Sequence, residues 1–121
     1  MEGKNMLFVE YPKCSTCQKA KKWLDEHGIS YEDRHIVENH PTYEELKDWY
    51  GRSGLPLKKF FNTSGMLYKE MKLKDKLPTM SEEEQLQLLS TNGMLVKRPV
   101  IVDGDTVLTG FRVAEWEEKL L

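Results

Sequence analysis

The strongest constraint on this chain is the Cys14-Ser15-Thr16-Cys17 turn, which holds both of its cysteines where strand-like sequence gives way to helix-like sequence. The apolar run Met6-Leu7-Phe8-Val9 and then Tyr11-Pro12-Lys13 precede it, and Gln18-Lys19-Ala20-Lys21-Lys22-Trp23-Leu24 follows with the make-up of a helix. Both sulfurs therefore lie near a helix N-terminus, where unpaired backbone N–H groups and the positive end of the helix dipole favour an anion. A thiol in such a first turn tends to ionise below the free-cysteine value of about 8.5, and the thiolate is the nucleophile.

Composition limits what such a turn can serve. A chain of 121 residues, 39% hydrophobic and 31% charged, suits one compact domain over residues 1–121 with one core. A formal charge of -2 leaves no basic excess, which argues against direct nucleic-acid binding through phosphate neutralisation. The N-terminal apolar run is too short for a membrane span or a secretory segment, and Glu10 interrupts it. A cytoplasmic, monomeric protein without membrane association is expected. In a reducing compartment, two cysteines at this spacing point to catalysis, redox sensing or metal binding rather than to a structural staple.

Along the chain, Met1 to Asn5 reads as a polar lead-in and Met6 to Tyr11 as a short buried strand. A helix from about Ser15 to His27 follows, with Ala20, Trp23, Leu24 and His27 on one face and Gly28 placed to end it. Ser30 to Val37 is strand-like, and a connecting helix makes the first two strands parallel. Thr42-Tyr43-Glu44-Glu45 and Ser81-Glu82-Glu83-Glu84 are capping boxes. The first opens a helix predicted to end near Gly51, and the second opens one that Asn92-Gly93 closes. Between them Leu57 to Phe61 reads as a short helix and Leu67 to Leu77 as weakly helical, so residues 42–92 form a helical insertion. Pro99 to Val102 and Thr106 to Thr109 flank an Asp-Gly-Asp turn, the signature of an antiparallel hairpin, and a last helix runs from Val113 to Leu120. This order predicts an α/β three-layer sandwich around a mixed four-stranded sheet.

For C-x-x-C the two leading chemistries are a redox dithiol and half of a zinc site. Zinc needs four ligands, and His27, His35 and His40 are scattered with no other cysteine present, so the redox reading is favoured and no metal is expected. In that reading Cys14 is the exposed attacking thiolate and Cys17, one turn into the helix, the resolving thiol. Arg98-Pro99 precedes the third strand: Pro99 either adopts the cis form beside the cysteines or simply starts an edge strand. Arg98 is either a solvated charge or a guanidinium aimed at the cysteine turn that lowers the thiolate pKa and holds an oxyanion. Arg112 and Lys13 are weaker candidates for the same positive potential, and Ser15 and Thr16 either cap the helix or offer hydroxyls to a bound anion. Trp23, Trp49 and Trp116, like the three histidines, read as packing residues.

Taken together, Tyr11-Pro12-Lys13-Cys14-Ser15-Thr16-Cys17, the helix Lys19 to Leu24, the Phe60-Phe61-Asn62-Thr63-Ser64-Gly65 turn, Lys97-Arg98-Pro99 and Gly110-Phe111 resemble the arsenate reductase (ArsC) and Spx-related family over nearly the whole chain. The resemblance implies a thioredoxin-like fold, with Cys14 in the place of the arsenate reductase nucleophile and Arg98, before a cis proline, in that of an oxyanion-binding arginine. Arg112 is the candidate for a second such arginine. Its implied substrates are a small oxyanion or a disulfide. No bound cofactor is implied, and the reductant is external, either a glutathione-type thiol or a thioredoxin or glutaredoxin partner. Two departures stand out: Asn62-Thr63-Ser64-Gly65 lacks the arginine that arsenate reductases and Spx regulators carry in this segment, and Cys17 resembles Spx rather than the arsenate reductases. The Spx likeness implies the alternative of a redox-sensing regulator that binds the RNA polymerase alpha subunit.

Overall fold

The computed structural model describes residues 6–121, so the polar lead-in Met1 to Asn5 lies outside the described residues. Strand β1 (Leu7–Glu10) is followed by helix α1 (Ser15–Glu26) and strand β2 (Glu32–His35). The helical insertion comprises α2 (Tyr43–Ser53), α3 (Met66–Glu70), α4 (Leu73–Lys76) and α5 (Glu82–Ser90), with short 3-10 turns between and after them. Strands β3 (Val100–Asp103) and β4 (Thr106–Thr109) form the hairpin, and α6 (Val113–Leu120) closes the chain. The four strands lie in the order β2-β1-β3-β4, with β1 parallel to β2 and antiparallel to β3, and β3 antiparallel to β4. This is the mixed sheet of a thioredoxin-like fold.

The side-chain alternation of the strands sorts the core into two layers. Phe8, Ile101 and Leu108 stand in register across three strands and turn to one face, where they meet Ala20, Trp23 and Leu24 of α1 and Trp116 of α6. Val9, Val100, Val102 and Val107 turn to the other face, against Leu46 and Trp49 of α2, Leu86 and Leu89 of α5, and Phe60 and Phe61. The tryptophans are thus packing residues: Trp23 and Trp116 meet edge to face at 5.7 Å, and Trp49 is buried in the second layer. The histidines are also structural. His27 bonds the Trp23 carbonyl and its ring lies 4.1 Å from that of Trp23, while His40 Nδ1 lies 3.3 Å from the Pro41 carbonyl.

Both capping boxes are present, with Thr42 and Ser81 accepting from the Glu45 and Glu84 amides. Glu45 also takes Arg34 of β2 in a bidentate pair, at 2.7 Å on each oxygen, which fastens the insertion to the sheet edge. Tyr43 and Tyr50 of α2 donate to Glu83 and Glu82 of α5, joining the two long helices of the insertion.

Three elements differ from the sequence expectation. Strand β2 is four residues rather than the eight predicted, because the His35 ring accepts the Val37 and Glu38 amides at 3.1 Å and turns the chain away from the ladder. Helix α2 runs through Gly51 to Ser53, since Gly54, with φ of 70°, is the residue that takes the left-handed conformation at its end. The weakly helical stretch from Leu67 to Leu77 is two helices, divided at Lys72, whose φ is 55°.

Candidate active site

The loop from Tyr11 to Lys13 brings the chain off β1 and into α1 so that Cys14 occupies the N-cap position. Of the two roles open to Ser15 and Thr16, capping is not the one they take: with Cys14 at the N-cap they already lie in the first turn, and the end carries no side-chain cap. The free N–H groups are left for sulfur. Partial burial by itself pushes the Cys14 thiol up, but the backbone N–H of Cys17, the Cys17 thiol, the Arg98 guanidinium and the Thr16 N–H favour the charged sulfur, and its pKa falls below the ordinary thiol value. Cys17 is the opposite case. It is fully buried, and burial outweighs a hydrogen bond from the Tyr11 N–H at 3.5 Å; the neighbouring Cys14 and Glu10 charges add to the rise, which carries it to about 12. The two thiols are free in this structure. The half-exposed sulfur thus ionises more readily than an ordinary thiol, and it stands in front of a buried one held as a thiol.

Arg98 stands opposite the cysteines. The Arg98-Pro99 peptide bond is cis, as the functional reading required. The guanidinium lies 5.1 Å over the Tyr11 ring and touches Met94 Sδ at 4.0 Å. Among the described residues no carboxylate pairs with Arg98, so its charge is directed to Cys14 and to whatever enters beside it.

In front of these groups opens a groove of about 810 Å³. Cys14, Thr16, Arg98 and Arg112 all line it, whereas Lys13 and Ser15 are exposed and do not. Arg112 is peripheral: its side chain is 73% exposed and lies 3.5 Å from Glu115. Asn62, Thr63 and Ser64, the stretch without an arginine, line it as well. Sequence reasoning missed Lys58, Lys59 and Lys97, which also line the groove and, with the two arginines, set five cations against the one carboxylate of Glu115. Nothing in their local patterns marks them, because three separate segments have to fold together before they share a surface. A buried carboxyl was missed as well: Glu10, which ends β1, is only 5% exposed. Among the described residues no group of three or more His, Cys, Asp or Glu side chains forms that could hold a metal ion, and no helix is long and apolar enough to cross a membrane.

Comparison with known proteins gives this arrangement its kin. The YusI protein of Bacillus subtilis is 57% identical over 114 residues, covering 94% of this chain and 97% of YusI. The regulatory protein MgsR of the same organism is 31% identical over 110 residues, covering 91% of this chain and 86% of MgsR. The crystal structure of a putative ArsC family related protein from Bacteroides fragilis superposes with a TM-score of 0.92 at 63% identity, over 94% of this chain and 96% of that one. Residues 9–119, from the end of β1 to the last turn of α6, match the ArsC family profile, and the chain belongs to the ArsC family.

Proposed function

We propose that the protein is a thiol-dependent oxidoreductase in which Cys14 attacks a small anionic substrate and Cys17 resolves the adduct. With a disulfide substrate, the Cys14 thiolate bonds to one sulfur and the other leaves as a thiolate. Cys17, deprotonated, then attacks Cys14 Sγ, the internal disulfide forms, and the second substrate thiolate leaves. The substrate gains two electrons and the dithiol loses them. An external thiol, of the glutathione type or on a thioredoxin or glutaredoxin, restores Cys14 and Cys17. Five cations around the groove favour an anionic substrate, disulfide or oxyanion.

The observation that carries this reading is the asymmetry of the pair, with the Cys14 pKa lowered in front of Arg98 and the Cys17 pKa raised behind it. Alkylation of Cys14 by iodoacetamide, followed against pH, tests it. The rate is expected to rise with a midpoint below that of a free thiol. In Arg98→Ala the midpoint moves up and the rate at pH 7 falls about tenfold, since a hydrogen bond to a charged group contributes about 1.5–3 kcal/mol. A Cys14 midpoint at or above the free-thiol value, with no turnover of disulfide or arsenate, contradicts the proposal.

A second reading has a specific observation behind it: MgsR is a regulatory protein, and the C-x-x-C resembles that of Spx. The protein would then sense oxidation through the same dithiol and bind the RNA polymerase alpha subunit. Pull-down of that subunit with oxidised and with reduced protein separates the readings, and failure to bind in either state removes the regulator.

A further inference from the structure

Glu10 is the one charged residue among the described residues that is buried, and the dithiol cycle written above does not use it. Its position follows from strand parity. Glu10 shares the α1 face of the sheet with Phe8, and on the parallel neighbour the residues paired with Phe8 and Glu10 are Asp33 and His35. Cys17 and Lys21 stand four apart on α1, so both look onto this strip. The groups are connected. The Tyr11 N–H, in the peptide that joins Tyr11 to Glu10, donates to Cys17 Sγ at 3.5 Å, the Glu10 and Asp33 carboxyls are hydrogen-bonded to each other, and Lys21 Nζ holds Asp33 at 2.8 Å. Asp33 and Lys21 reach the surface, with side chains 35% and 46% exposed.

We propose that Glu10 is the proton acceptor for Cys17, and that Asp33 and Lys21 connect it to solvent. The inference rests on Cys17 being the resolving thiol. The buried thiol has no direct contact with water and has to lose its proton before it can attack Cys14 Sγ. The Cys17 proton passes to the Glu10 carboxylate, the Cys17 thiolate bonds to Cys14 Sγ, and the substrate thiolate leaves. Protonated Glu10 then gives its proton to water by way of Asp33. In the reverse direction, when an external thiol opens the internal disulfide, Glu10 returns a proton to the departing Cys17.

Electrostatics support the direction of transfer. Burial, the hydrogen bond to Asp33 and the Asp33 charge raise Glu10 to about 7, against a smaller opposing pull from Lys21. Asp33 is held below the ordinary carboxylate range: partial burial pushes it up, but the Glu10 hydrogen bond and the Lys21 contact prevail, with His35 assisting. A proton held by the pair therefore resides on Glu10, the member beside Cys17. Two causes of the high Cys17 pKa, its hydrogen bond to Cys14 and the Cys14 charge, vanish once Cys14 is capped by substrate. A third, the Glu10 charge, vanishes with the transfer itself. Among the described residues, the titratable groups that face Glu10 are Cys17 and Lys21 of α1 and Asp33 and His35 of β2. On the β3 side the ladder ends at the Val9–Val100 pair.

The test uses dithiobis-nitrobenzoate, an aryl disulfide that releases one coloured thiolate when Cys14 attacks it and a second when Cys17 displaces it. In the wild type the second phase is expected to rise with pH through a midpoint near that of Glu10. In Glu10→Gln it is expected to be about 10²-fold slower at pH 7, to lose that midpoint, and to recover only at higher pH. Glu10→Asp should keep a pH-dependent second phase. Should the variants not fold, the carboxyl carbon-13 resonance of Glu10 in the wild type reports its titration directly. A second phase in Glu10→Gln with the wild-type rate and pH profile, or a Glu10 that titrates in the ordinary carboxylate range, overturns the proposal. Absence of any second release from the wild type would instead overturn the dithiol reading on which it rests.

Discussion

Cys14→Ser is expected to lose disulfide turnover by on the order of 10³-fold or more, because it removes the atom that makes and breaks the bond. A serine hydroxyl stays protonated, whereas a thiol beside Arg98 and the Cys17 and Thr16 N–H groups ionises more readily than an ordinary one. Cys17→Ser should fail differently. Its first half-reaction persists, since Cys14, the helix terminus and Arg98 are intact, and the protein accumulates as a mixed disulfide with one substrate half attached. Intact-mass spectrometry distinguishes the two: no adduct on Cys14→Ser, and one stable adduct per chain on Cys17→Ser. An adduct on Cys14→Ser would mean that the buried Cys17 attacks substrate, against its raised pKa and full burial.

The second large effect is structural. Gly93→Ala is expected to destabilise the fold by at least about 4 kcal/mol, at the extreme of single substitutions. A Cβ at Gly93 would meet the Ile36 carbonyl oxygen at 1.8 Å, with Ile36 C at 2.7 Å and Val37 Cα at 3.0 Å. All three are backbone atoms, so no rotamer change relieves the clash. The backbone at Gly93 sits this close because the 3-10 turn after α5 returns the insertion to the end of β2, just before Leu95 and Val96 enter the core. For a domain of this size, 4 kcal/mol corresponds to a fall in Tm of about 15 °C, readable by thermal denaturation. A change under about 1 kcal/mol would mean that the insertion does not press on β2 as described.

Much of this fold was legible in the chain because its signals are local. The capping boxes at Thr42 and Ser81, the Asp103-Gly104-Asp105 turn and the spacing of Val113, Trp116 and Leu120 each specify an element without help from distant residues. The end of β2 was not legible, since the His35 ring that captures two amides could equally have pointed into solvent. The division at Lys72 was not either, because a lysine with positive φ contradicts its own local preference. For the site, the thiols and Arg98-Pro99 carry signals in their residue types. Glu10 carries none: a glutamate after Phe8-Val9 reads as the end of an apolar run, and its burial depends on strand parity and on where α1 crosses the sheet. Lys58, Lys59 and Lys97 become a cationic wall only when the insertion folds beside Arg98.

The central claim is that Cys14 and Cys17 form one reversible two-electron couple, and its most direct measurement is a redox titration with thiol counting. Reduced protein should show two titratable thiols and oxidised protein none, with monomeric mass retained. The fraction oxidised should follow a slope of about 30 mV per tenfold change in its ratio to reduced protein. A protein that keeps one free thiol at every potential, or that oxidises only by pairing with a second chain, would contradict the account.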